Sequence, residues 1–304
     1  MKQILILLFG IVLSGSLLAQ GCSDAGFCSL GALKNKTADG VKKYFISLGA
    51  NYGAGEEGTS TFNSYVEFGA RTSNRFSYQV KLTSVFADGF LGSNFDFGDI
   101  YGYAQFSPEP SSINKLSILS GVKIPLTQAN DKNLDGKPLP LDYQSSLGTF
   151  DLIEGVNYII RNTWELNAGV QIPVIQRNRN SFFPDEYADP RAENFWPTNK
   201  FKRKADALLR AGHYLVIKKY GITLKPNLLA IYHLGDDSYE NRLGKREKIT
   251  GSEGLTLNAA LLATKPIGDD QVEVIIATPI VVRDARPDGL TRSLVINVQY
   301  RISL

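Results

Sequence analysis

Hydrophobic and polar residues alternate with a period of two through most of this chain. In its last stretch, Leu290, Arg292, Leu294, Ile296, Val298, Tyr300, Ile302 and Leu304 fall on one side of an extended backbone, while Thr291, Ser293, Asn297, Gln299, Arg301 and Ser303 fall on the other. Successive side chains of a strand point to opposite faces, so such a segment is apolar on one face and polar on the other. The same pattern recurs at 44–52, 62–71, 76–86, 100–106, 116–126, 150–160, 164–174, 205–215, 222–232, 255–263 and 272–282. Most segments have the nine to eleven residues that a tilted strand needs to cross a bilayer. The pattern predicts an all-β fold: a closed antiparallel transmembrane β-barrel of about twelve strands, within a range of about ten to fourteen.

The connections alternate in length. Residues 72–75, 161–163 and 216–221 are tight, whereas 128–149, 176–204 and 233–254 are long; 87–99 is longer than 72–75, and 107–115 is intermediate. Short turns at one rim and long loops at the other characterise barrels inserted from the periplasm. A soluble β-sandwich explains alternation but gives no reason for this parity.

The faces agree. Phe62, Val66, Phe68 and Ala70, like Trp164, Leu166, Ala168, Val170, Ile172 and Val174, form outward sets nearly free of charge. Exposed charge is costly in lipid, and every backbone group there must bond within a closed sheet. The complementary faces supply candidate lumen-lining residues: Glu67, Arg71, Lys81, Lys123, Asp206, Arg210, Lys225, Glu273 and Arg301. Glu154 breaks the rule by sharing a face with Phe150, Leu152, Val156 and Tyr158, through either a bulge or a misaligned strand. Aromatic residues near strand ends (Tyr44, Tyr52, Phe76, Phe86, Trp164, Tyr232 and Tyr300) are candidates for interfacial girdles.

Residues 1–20 read as an export signal, with Lys2 before the apolar run Ile4–Leu13 and small residues before Gln20. A segment at 21–43 then lies in the periplasm or plugs the lumen, and the barrel domain occupies 44–304. Cys22 and Cys28 are the two cysteines, and in an oxidising compartment a disulfide closing their small loop is the expectation. Cys22 also invites a lipoprotein reading, which Ala19 in the place of the usual Leu opposes. The 304 residues carry a net charge of +3, with neither a nucleic-acid footprint nor an acidic tail.

Together the export signal, the two-faced strands and the hydrophobic final strand resemble Gram-negative outer-membrane β-barrels, and the signal resembles Bacteroidetes exports. That resemblance implies outer-membrane lipid as surroundings and recognition of the last strand by the barrel-assembly machinery. The chain departs in ending on Leu304 rather than an aromatic residue. More narrowly, Lys123-Ile124-Pro125-Leu126 and Leu147-Gly148-Thr149-Phe150-Asp151 resemble the transporter-like barrels of phenol meta-pathway degradation. Those carry a strand ending in K-x-P and a following L-G-T-G-x-x-D, in which Phe150 replaces the second glycine. The resemblance implies passage of small, partly apolar molecules.

Asp131, Asn133, Asp135 and Gly136 resemble the first half of an EF-hand calcium loop, with Asp142 at the twelfth position. Pro138 and Pro140 interrupt the second half, and the same string makes an ordinary tight turn. No other cofactor is expected. Of two histidines, His213 belongs near a short turn, and His233 with Asp236 and Asp237 is the candidate for a rim hydrolase. An exposed loop edge is the plainer reading of His233, and no catalytic residue is assigned. Phe182, Phe183, Tyr187, Phe195 and Trp196, between Arg177-Asn178-Arg179 and 200–204, make an aromatic loop that either meets anionic partners or folds inward. The composite expectation is a passive channel or transporter rather than an enzyme. The alternative is an interaction barrel with a closed lumen whose loops bind a partner.

Overall fold

The computed structural model describes residues 42–289 and 293–304 of the chain. The signal peptide, most of the 21–43 segment and both cysteines lie outside the described residues. Fifteen strands follow one another: β1 (Tyr44–Ala54), β2 (Ser60–Arg71), β3 (Phe76–Gly89), β4 (Gly92–Phe106), β5 (Lys115–Pro125), β6 (Thr149–Ile160), β7 (Trp164–Gln176), β8 (Asp206–His213), β9 (Leu215–Ile217), β10 (Ile222–His233), β11 (Ser238–Glu240), β12 (Arg246–Lys248), β13 (Gly254–Ile267), β14 (Asp270–Val281) and β15 (Leu294–Ser303). Short β9 continues the line of β8 past Tyr214, and both pair with β10. The β11–β12 pair is a separate hairpin within a long loop. Twelve antiparallel wall strands remain, and they close on themselves. Last strand β15 pairs with first strand β1 from Phe45↔Ser303 to Ala54↔Leu294. Closure leaves the sheet without an unpaired edge.

The alternation read in the sequence is the alternation of faces. On β2, Phe62, Val66 and Phe68 are about half exposed on the outside, while Thr61, Asn63, Tyr65 and Glu67 are buried inside. On β15, Leu294, Ile296, Val298 and Tyr300 point outward between buried Val295, Gln299 and Arg301. Each of the seven aromatic girdle candidates is exposed. Trp164 lies 4.5 Å from the His213 ring, and Phe76 lies 4.7 Å from Phe106, all at the short-turn rim.

Three features differ from the sequence reading. Residues 87–99 are not a loop: β3 and β4 run on to a tip at Phe90–Leu91, with a register shift between Leu82 and Ser84. Residues 264–271, which separate the patterned segments 255–263 and 272–282, shrink as a connection to Gly268–Asp269, because β13 and β14 extend to Ile267 and Asp270. Glu154 does lie on the outer face. The bulge in its hairpin falls between Phe150 and Asp151 and leaves the alternation of β6 intact.

Aromatic rings fold flat against the inner wall. Tyr65 is the cross-strand partner of Gly49, Phe45 of Gly69, and Tyr103 of Gly121. A Cβ on any of these glycines would lie about 2 Å from the facing ring, so only glycine lets the ring lie against the sheet.

Over the long-loop rim, loops and hairpin tip pack into a cap with its own apolar cores. One core joins Ala87, Leu91, Leu139, Tyr143, Phe182, Ala192 and Phe195; another joins Ala129, Leu141, Leu147, Phe201, Ile249 and Ala285. The aromatic loop is thus drawn into packing, though Trp196 remains exposed. Buried Asn180 knits it in place. Its Nδ2 donates to the carbonyls of Ala129 (2.9 Å) and Leu139 (2.8 Å), and its Oδ1 accepts from the Phe182 amide and Thr198.

Candidate functional site

The barrel interior concentrates the charged side chains into three levels. Near the short-turn rim, Glu165 at the start of β7 faces three partners. Lys225 Nζ is 3.0 Å from its Oε2, to which the Tyr214 hydroxyl also donates, and Arg210 Nη2 is 3.5 Å from its Oε1. Across this level, Arg301 lies 3.4 Å from Glu67, donates to Ser47 Oγ at 3.1 Å and stacks 4.0 Å over the Phe45 ring. Lys81 Nζ sits 3.9 Å above the Tyr65 ring, and Tyr65 donates to Asn297 and Gln299 at 3.2 Å.

An apolar waist comes next. Tyr101, Tyr103, Leu119, Ile153, Leu208 and Leu229, from β4, β5, β6, β8 and β10, pack together as one buried cluster. Hydrophobic side chains that face inward at these positions invert the usual polarity of a barrel lumen.

At the long-loop rim, Lys123 Nζ lies 3.0 Å from Asp151 and donates to Thr149 at 2.9 Å, and Asp151 also accepts from Gln171 at 2.5 Å. Beyond it runs a chain of alternating charge. Asp206 pairs with Arg203 and lies 2.6 Å from His233 Nδ1; His233 Nε2 is 2.7 Å from Asp237. Arg203 approaches Asp288 at 3.8 Å, which Arg283 binds at 2.5 Å. Desolvation opposes the charged form of the Asp288 carboxyl, but the guanidiniums of Arg283 and Arg203 outweigh it and push its pKa down to about 2. Arg286 and Glu56 add a further pair between loops.

The structure therefore places Glu67, Lys81, Lys123, Asp206, Lys225, Glu273 and Arg301 in the interior as buried side chains, with Arg210 half-buried among them. Arg71, half-buried at the end of β2, stands next to the short turn, where its amide bonds Lys43. Sequence reasoning missed Asp151, Glu165, Arg203, Arg283 and Asp288. Period two could have found Asp151 and Glu165, each flanked by outward apolar residues. The other three stand in loops, where no periodicity marks an inward side chain.

His233 has a carboxylate on each ring nitrogen, an arrangement suited to an imidazolium that donates twice. Neither nitrogen is left to act as a base toward a hydroxyl. Ser252, nearby, accepts from the Asp237 amide and donates to the Ile249 carbonyl. In the stretch from Asp131 to Gly136, Asn133 Oδ1 accepts from the amides of Asp135 and Lys137 at 3.0 Å, as a turn-forming asparagine does. Asp131 accepts from Asn94 at 2.8 Å, and burial pushes its carboxyl up. Among the described residues no group of three or more His, Cys, Asp or Glu is placed to hold a metal ion.

No protein-family model matches the chain, and no curated protein matches it in sequence. By structure, the barrel is similar to an outer-membrane channel from Pseudomonas putida F1, at 11% identity and a TM-score of 0.57, with 88% of this chain and 97% of that one covered. It also aligns with the KdgM porin in complex with disordered oligogalacturonate, at 8% identity and a TM-score of 0.45, over 86% of this chain and 99% of that one. The translocator domain of the autotransporter NalP from Neisseria meningitidis aligns at 9% identity and a TM-score of 0.47, over 88% and 90%. The first likeness is one of fold. The chain is a closed, twelve-stranded antiparallel barrel with the fold of Gram-negative outer-membrane channels.

Proposed function

We propose that this chain is an outer-membrane channel that passes small, partly apolar molecules by passive diffusion. The observation that carries the reading is the apolar cluster on the β4–β10 side of an interior that also holds paired charges. Tyr101, Tyr103, Leu119, Ile153, Leu208 and Leu229 give a nonpolar skeleton favourable contact where a general porin would offer water and charge. Charges above and below the waist neutralise one another in pairs, so selection falls on size and polarity more than on ionic sign. The outward apolar belt fits acyl-chain surroundings, and the final strand fits recognition by the assembly machinery. The likeness of 123–126 and 147–151 to the phenol meta-pathway transporters points the same way. Calcium is not needed in this reading: calcium titration is expected to leave proteolysis of 131–136 unchanged.

Purified protein in planar bilayers should give small, discrete conductance steps, and reconstituted vesicles should admit partly apolar solutes faster than charged ones of equal size. Folded protein that gives no steps and admits no solute would overturn the channel reading. That outcome would favour an interaction barrel, for which the packed cap over the long-loop rim speaks. The hydrolase alternative is tested by His233→Ala in a lipid or peptide hydrolysis assay; no activity is expected from either protein.

A further inference from the structure

We propose that Asn51, Thr61 and Asn63 form a binding site on the inner wall for a neutral solute that donates hydrogen bonds, an alcohol or polyol; this rests on the channel reading and goes beyond the partly apolar solutes it names. Asn51 on β1 is the direct cross-strand partner of Asn63 on β2 and of Asn297 on β15. Direct partners hold their Cβ atoms about 4.5–5.5 Å apart, so the three amides form a row over the seam where the barrel closes. Thr61 is the next inward residue of β2 beyond Asn63. Their relative exposures are 8% for Asn51, 3% for Thr61 and 4% for Asn63, against 45% and 52% for their outward neighbours Tyr52 and Phe62. All three therefore point into the barrel and are shielded from bulk water.

Their acceptors have no partner. Asn51 Oδ1, Thr61 Oγ1 and Asn63 Oδ1 are buried without a hydrogen bond, whereas the third amide of the row, Asn297 Oδ1, takes the Tyr65 hydroxyl at 3.2 Å. Asn258 on β13, 1% exposed, leaves both its amide atoms unpartnered on the same half of the barrel. Native proteins rarely strand buried polar groups, and a cluster of them marks a place where another molecule completes the bonding. Unfilled carbonyl and hydroxyl oxygens ask for donors. The row holds neither a cation nor a carboxylate to balance a charged guest, so a neutral donor suits it.

The test uses the full chain and the Asn51→Val/Asn63→Val double variant. Xylitol is the probe, and diglyme, which accepts but does not donate, is the control. Wild-type current in planar bilayers should fall with xylitol along a saturating curve, and the half-saturating concentration should rise at least three-fold in the variant while the response to diglyme stays equal. In detergent, xylitol should raise the unfolding temperature of the wild type more than that of the variant. Without solute the variant should unfold at the same or a higher temperature, since it replaces stranded polar groups with apolar ones. Equal xylitol responses in the two proteins would overturn the site and leave the channel reading standing. Absence of current from the wild type would overturn the channel reading, and the site would then be decided by the thermal shift alone.

Discussion

A carboxylate on the outer face of β6 tests what the wall tolerates. Glu154 lies midway along its strand among Leu152, Val156 and Tyr158, and the Ser120 hydroxyl of β5 donates to it at 2.7 Å. One hydrogen bond does not replace hydration in a medium of acyl chains. Glu154→Leu should therefore raise unfolding stability in lipid by about 1–2 kcal/mol, below the cost of a basic residue at mid-bilayer. A loss of stability in chemical unfolding would mean the carboxylate has a partner other than lipid. Asp288 belongs to the opposite case, a charge held by design. Its folded pKa of about 2 lies below its ordinary 3.8, so the stability it contributes is present above pH ~3.8 and is lost as pH falls through about 2. The shift corresponds to about 2 kcal/mol. Unfolding midpoints followed down to low pH should fall in that window for the wild type. They should stay flat there for Asp288→Asn, which starts lower at neutral pH. The sequence could show Glu154 as an exception to a pattern. It could not show Asp288 as anything but a loop aspartate, because its guanidinium partners come from 203 and 283 and meet only in the fold.

Strands were legible because a sheet with lipid on one face and polar side chains on the other imposes period two on every residue it contains. The reading failed where that imposition stops. Along 87–99 the inward side turns from lumen to cap, where Ala87 and Leu91 join a loop core, while Phe95 and Phe97 still point outward. The cap itself was invisible, since its order comes from buried amides rather than periodicity. Asn180→Ala would leave the Ala129 carbonyl and the Phe182 amide without their partners and take one of two donors from the Leu139 carbonyl, at about 2–4 kcal/mol, one to two stranded groups' worth. Expected consequences are faster proteolysis within 177–205 and larger single-channel conductance; unchanged values of both would show that the cap holds without it. Strand β15 offers a control on the face assignment. Val298→Arg should cost about 2–4 kcal/mol in lipid, while Gln299→Arg, on the inner face, should cost far less. Equal losses would contradict the two-faced wall.

For the molecule as a whole, pattern alone determined a twelve-stranded barrel, the parity of its loops, its apolar exterior and half of the charged residues buried among those described. These follow because each strand must satisfy the same boundary condition separately, and a local rule repeated twelve times leaves a local trace. What tertiary structure decided is which inward residues meet across the barrel. Leu119, Ile153, Leu208 and Leu229 interrupt the polar faces of four separate strands, and the fold joins them into one cluster on the β4–β10 side. Asn51 and Asn63 belong to separate strands, and only the register of β1 against β2 makes them neighbours with stranded oxygens. His233 read as an exposed loop edge, with a rim base as the alternative, until the fold buried it with Asp206 against one nitrogen and Asp237 against the other. Contacts across a closed ring depend on the stagger of all its strands at once, and no stretch of sequence contains that sum.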